Sequence, residues 1–154
     1  MRDSIGGVFN IMFLAVFITV ISGYLAFTIS YSKAFKVKNK IISTLEQYQH
    51  YNDESERIIK QYINDIGYNT KNAVNNVNAG LPSGWDKGKD CNMDDGYCVK
   101  WTQDTEGSSA GIPKGYYSVI TFVNVDIPIF NKFLPYLSFF QTQGDTMTIN
   151  ATNP

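Results

Sequence analysis

From Ile5 to Tyr31 the chain reads IGGVFNIMFLAVFITVISGYLAFTISY, 27 residues without an Asp, Glu, Lys, Arg or His. Coiled as a helix rising about 1.5 Å per residue, the stretch reaches roughly 40 Å, more than the ~30 Å hydrocarbon core of a bilayer. A surface helix of a soluble domain carries charges along one side, and this stretch has none on any side. A cleaved signal sequence is the competing reading. Its apolar region normally runs only about 7–15 residues and closes on a small-residue cleavage site. Here the run is longer and ends in Thr28-Ile29-Ser30-Tyr31-Ser32-Lys33, without an A-x-A pattern. The stretch therefore reads as a retained transmembrane helix. Its weakly polar residues, Asn10, Thr19, Ser22, Gly23 and Thr28, suit either contact with another helix in the membrane or bonds back to their own backbone.

Residues 32–154 leave enough chain for one small domain, and ten Tyr and ten Phe supply material for its core. Charge is divided unevenly. Residues 1–40 hold five Lys/Arg against one Asp, net +4, and residues 41–154 hold eight Lys/Arg against thirteen Asp/Glu, net −5. An acidic domain lacks the basic footprint that nucleic acid requires, so no nucleic-acid partner is expected. Lys33, Lys36, Lys38 and Lys40 follow the apolar run, and by the positive-inside rule they place the C-terminal domain in the cytoplasm. The two cysteines argue the other way. Cys91 and Cys98 have six residues between them, a spacing that a hairpin disulfide bridges, and persistent disulfides belong to oxidising compartments. A composition rich in Asn, Tyr, Thr and Gly points outward as well. The expectation is a single-pass protein of the cell membrane with an extracytoplasmic C-terminal domain, its lysines held on helical turns above the bilayer where they meet headgroups.

In Ser32–Tyr51 the apolar residues Phe35, Ile41, Ile42, Leu45 and Tyr48 recur at helical spacing with no Gly or Pro, which predicts one helix from about Ser4 to Gln49. The chain thus divides into a stub (1–4), a transmembrane helix (5–31), its amphipathic continuation (32–51) and an α+β domain (52–154). Asn52-Asp53 reads as a break and N-cap, with Ser55 an alternative cap. Ile58, Ile59, Tyr62, Ile63 and Ile66 mark the face of a second helix that stops at Gly67. Thr70–Ala79 reads as a weak third helix with Ala73, Val74 and Val77 inward. Beyond Leu81 the period shifts toward two. Strands are expected at Tyr97–Thr102, at Tyr116–Ile127 and at Asp145–Ala151. The second has Val119, Thr121, Val123 and Val125 on one face and Ile120 and Phe122 on the other, as an interior strand would. In the third, Met147 and Ile149 point one way. Asp104–Gly111 reads as a loop and Ile129–Phe140 as an apolar connection broken by Pro135. The fold class is α+β: a long transmembrane-plus-amphipathic helix followed by a small antiparallel sheet.

Catalytic patterns are sparse. His50 is the single histidine, so triads and most zinc sites lack an imidazole partner, and it reads as a surface residue. C-x6-C fits neither a zinc ribbon nor a C-x-x-C redox pair. Asp86, Asp90, Asp94 and Asp95 crowd one loop, DKGKDCNMDDGYC. They offer oxygens to Ca²⁺, but the spacing is not that of an EF-hand and Lys87 and Lys89 intervene, so a solvated acidic loop is expected. Asn150-Ala151-Thr152 matches the glycosylation triplet. No catalytic residue, cofactor, metal or small-molecule substrate is expected, and the protein reads as a non-enzyme. An anchored extracellular binding domain remains the alternative, using Trp85, Trp101 and Tyr116, although tryptophans serve equally as core.

Three stretches together carry a resemblance: DSIGGVFNIMFLAVFITVISGYLAF, KAFKVKNKIISTLEQY and YYSVITFVNVDIPIFNKFLPYLSFFQTQGDTMTI. Their order resembles the pilin and pseudopilin plan, and more narrowly the TadE-like proteins of the tight-adherence pilus system in low-GC Gram-positive bacteria. The resemblance implies a pilin-like fold and a minor or accessory subunit of such a pilus or related secretion filament. It also implies partners: the membrane, other pilin-like subunits and an assembly platform. Phe9, Phe13, Phe17, Tyr24 and Phe35 would be the helix-packing residues. The chain departs from pilins at the processing site. With Gly7 as the cleavage glycine, the fifth mature residue would be Met12 and not Glu, so neither cleavage nor the Glu-to-amine contact is carried over.

Overall fold

The first helix, α1, is unbroken from Arg2 to Tyr48, close to the span expected from sequence. In the computed structural model, which describes residues 2–104, 114–123 and 140–150, it ends where Gln49 takes a left-handed backbone with φ 58°. That conformation is unfavourable for a residue with a Cβ, and it turns the chain sharply into the next helix. Asn52 caps α2 (Asp53–Ile66). Its side chain accepts the Ser55 N–H at 2.8 Å, and the Ser55 hydroxyl accepts the Asn52 N–H at 2.9 Å. The two residues offered as alternative caps therefore act together in a reciprocal capping box. Gly67, at φ 64°, closes α2 by donating to the Ile63 and Asn64 carbonyls. The weak third helix forms as α3 (Thr70–Ala79), with Ala73, Asn76 and Val77 buried.

The acidic stretch is more structured than a solvated loop. Asp86 caps a short helix, α4 (Lys87–Asp90), by accepting the Gly88 and Lys89 N–H groups, and Asp90 accepts the Asp86 N–H in return. A two-residue strand, β1 (Cys91–Asn92), follows. It opens an antiparallel sheet with β2 (Tyr97–Asp104), β3 (Lys114–Phe122) and β4 (Gln141–Asp145) in sequential order, while β5 (Ile149–Asn150) pairs with β3 beyond β4. As the apolar alternation requires, β3 is interior: Val119, Ile120, Thr121 and Phe122 are all at most 2% exposed. Gly96, at φ 69° in the β1–β2 turn, lies so close to α3 that a Cβ there would sit 2.4 Å from that of Ala73.

Two expectations are corrected. Asp145–Ala151 is not one strand. Asp145 ends β4, and Thr146 breaks the ladder by donating its N–H to the Tyr117 carbonyl while its hydroxyl accepts the Tyr117 N–H. The next N–H, of Met147, turns to the Glu46 carboxylate at 2.9 Å. Met147 is consequently 73% exposed, whereas Ile149 is 6% exposed. The inward face of α1 keeps Ile41 and Leu45 of the expected apolar residues and leaves out Phe35. It consists of Ala34, Val37, Ile41, Thr44 and Leu45, with Phe35 41% exposed. Ala34, Val37, Ile41 and Leu45 are spaced by three, four and four, one helical stripe, and Phe35 lies about 100° around from Ala34.

The sheet closes on this stripe. The Thr121 hydroxyl donates to the Ala34 carbonyl at 2.9 Å, and Gly144 sits against the side chains of Lys38 and Ile42. Each Val, Ile or Leu buried in the seam contributes on the order of 1.5–3 kcal/mol. The expected loop beyond Asp104, positions 124–127 of the second strand, most of the 129–140 connection, and Ala151 and Thr152 of the glycosylation triplet lie outside the described residues.

Candidate functional site

α1 has two halves of different character. From Ala34 onward one stripe is buried under the sheet. From Val8 to Ile29 every large hydrophobic that is counted as exposed shows between 43% and 70% of its surface. No other element among the described residues exposes so long a run of large hydrophobics, and α1 is long and apolar enough to cross a membrane. Thr19 and Thr28 donate their hydroxyls to the Ala15 and Tyr24 carbonyls at 2.8 and 2.9 Å. Their polar atoms are thus satisfied inside the helix, as an apolar surrounding requires.

The expected packing residues share one side of this rod. Phe9, Phe13, Phe17 and Tyr24 are 68%, 68%, 56% and 69% exposed. At about 100° per residue they fall with Phe35 in a single arc of roughly 80°. The ridge continues into the head: Phe27 stacks on Tyr31 at 6.4 Å between ring centroids, and Tyr31 on Phe35 at 6.3 Å. Sequence reasoning missed its last member. Phe140, 46% exposed, meets Phe27 edge-on at 5.6 Å, and no periodicity marks it out.

Three of the four lysines after the apolar run have partners in the head. Lys33 donates to the Gly67 carbonyl at 3.0 Å, at the end of α2 where the helix dipole favours a cation. Lys38 is 9% exposed with its ammonium 4.3 Å from the centroid of Phe35, and Lys40 lies 5.9 Å from that of Tyr62. Lys36 faces outward. The charges that argued for a cytoplasmic head thus have work to do within the fold.

A second feature lies at the β1–β2 hairpin. Cys91 and Cys98 stand directly opposite each other and are joined by a disulfide. Beside it a cleft of about 230 Å³ is lined by Tyr51, Lys89, Asp90, Cys91, Asn92, Tyr97 and Val99, below the ~300–1,000 Å³ typical of small-molecule pockets. The Tyr51 and Tyr97 hydroxyls are hydrogen-bonded at 3.0 Å. Burial pushes both phenols above their ordinary range, so they stay neutral, and Asn92 donates to Glu56 at 2.9 Å. Among the described residues no three His, Cys, Asp or Glu side chains gather as metal ligands. Of the four aspartates weighed for Ca²⁺, Asp86 and Asp90 serve α4 and Asp95 is buried. His50 is bonded to the Asn52 amide at 3.1 Å.

Of the aromatic residues of the alternative reading, the two tryptophans are used in packing. Trp101 lies 4.7 Å from Tyr117, and Trp85 has the Lys100 ammonium 6.0 Å above its ring. Both tryptophans pack against the core, and Tyr116 is half-buried. No protein-family model, no curated protein and no solved structure matches the chain.

Proposed function

We propose that the chain is a membrane-anchored, pilin-like subunit, minor or accessory, of a tight-adherence-type pilus or related secretion filament. In this reading α1 holds the protein in the cell membrane with its head on the extracytoplasmic side, and the protein works by assembly and not by catalysis. One observation carries the reading. A single unbroken helix is bare and apolar in its first half and is the spine of a disulfide-bonded antiparallel head in its second. A rod of that kind can be stored in a bilayer and later packed side by side against identical rods. The aromatic ridge through Phe9, Phe13, Phe17 and Tyr24 would form the contact.

Photo-crosslinking in the cells that make the protein, with p-benzoyl-phenylalanine in place of Phe13, tests this. The expected products are dimers, longer ladders and adducts with other single-pass subunits. If lipid adducts alone form while the filament genes are expressed, the assembly reading fails and a lone anchored head remains.

A further inference from the structure

We infer that the underside of the head is a lipid-docking surface: Phe140, seated on Phe27, lies in the outer boundary of the bilayer, so that the head rests on the membrane. The inference builds on the reading of α1 as an anchor and adds where the head sits relative to it. Gly7 to Phe27 is about 30 Å of helix at 1.5 Å per residue, the thickness of a hydrocarbon core. When the bare half of α1 fills that core, Phe27 falls at its edge, and the edge-on contact at 5.6 Å brings Phe140 to the same level. Aromatic rings are favoured at that depth.

The rest of this rim agrees. Lys33 follows Phe27 by six residues, roughly 9 Å along the helix, which puts its ammonium and the end of α2 that it binds at headgroup height. The exposed Lys36 lies one turn beyond. The chain leaves the described residues at Val123 and returns at Phe140, and the Val123 N–H donates to the Phe140 carbonyl at 2.7 Å. That bond pins Phe140 beside the end of β3, next to Phe27. An exposed aromatic ring beside an apolar rod, with the exposed Lys36 above it, suits lipid with anionic headgroups.

Met147 provides an internal control. It too is exposed and apolar, but its N–H is held by Glu46, nineteen residues or roughly 28 Å beyond Phe27 along α1. The full chain is placed at low density in vesicles of phosphatidylcholine and phosphatidylglycerol, with p-benzoyl-phenylalanine in place of Phe17, Phe140 or Met147. All three positions are exposed, so the head tolerates the probe, and an intact Cys91–Cys98 disulfide verifies folding. Lipid adducts are expected at 17 and 140 and not at 147. Adducts at 17 without adducts at 140 overturn the docking surface and leave the anchor standing. A probe at 140 that reacts only with the head's own 124–139 sequence overturns it equally. Loss of lipid adducts at 17 overturns the anchor itself.

Discussion

Asp95 shows how little a local sequence says about a single side chain. It is one of four aspartates in a polar loop, yet it is 5% exposed and one of its carboxylate oxygens has no hydrogen-bond partner. Burial pushes its carboxyl above the ordinary range; Lys60 opposes this, while Asp94 and Glu56 add to it. Nothing in DKGKDCNMDDGYC separates Asp95 from Asp86. Their difference arises from the turn that Asn92 and Gly96 close, which carries Asp95 inward, whereas Asp86 caps α4. A raised pKa in the fold means that the protonated form is the better fit. The stability this group contributes is complete at pH below the ordinary carboxylate range and is lost as pH climbs through the raised value. Asp95→Asn is therefore expected to raise head stability by roughly 1 kcal/mol at neutral pH. It should also reduce the gain that the wild type shows on mild acidification. Urea unfolding of the full chain in detergent micelles at neutral and mildly acidic pH measures both, and a less stable variant at neutral pH contradicts the assignment.

Among the elements, α1 was legible in length and only partly in phase, with Ile41 and Leu45 inward as expected and Ala34 and Val37 missed. Its apolar residues run all round through Tyr31, so periodicity sets no direction until the lysines begin. There Lys38, buried in the seam, disguises the inward stripe, while Phe35 belongs to the exposed aromatic ridge. The caps were legible because their chemistry is local: Asn52, Ser55 and Gly67 act through the backbone beside them. β4 was invisible, since Gln141-Thr142-Gln143-Gly144-Asp145 has no apolar alternation and is a strand only because β3 offers it an edge. The seam gives a sharp comparison within one helix. Ile41→Ala removes a fully buried side chain and should destabilise the head by about 2–5 kcal/mol. Phe13→Ala, on the bare half, should leave head stability unchanged. Tryptophan fluorescence during denaturation follows the head, where Trp85 and Trp101 lie, and equal losses from both substitutions would show that the halves are not energetically separate.

At the scale of the whole molecule, the α+β class followed from a long apolar helix ahead of alternating strands, and the structure has that arrangement. Orientation was the point on which sequence features conflicted. Lys33, Lys38 and Lys40 each have a partner inside the fold but keep their charge, so that conflict stands. On the other side stands the disulfide, for which Cys91 and Cys98 lie in facing register. The central claim is that α1 crosses the membrane and holds this disulfide-bonded head outside. Thiol labelling of intact cells with a membrane-impermeant maleimide, before and after an impermeant reductant, tests it most directly. The account predicts no labelling before reduction and labelling of both cysteines after it, with the cells still sealed. Free thiols that react only once the cells are lysed would contradict it.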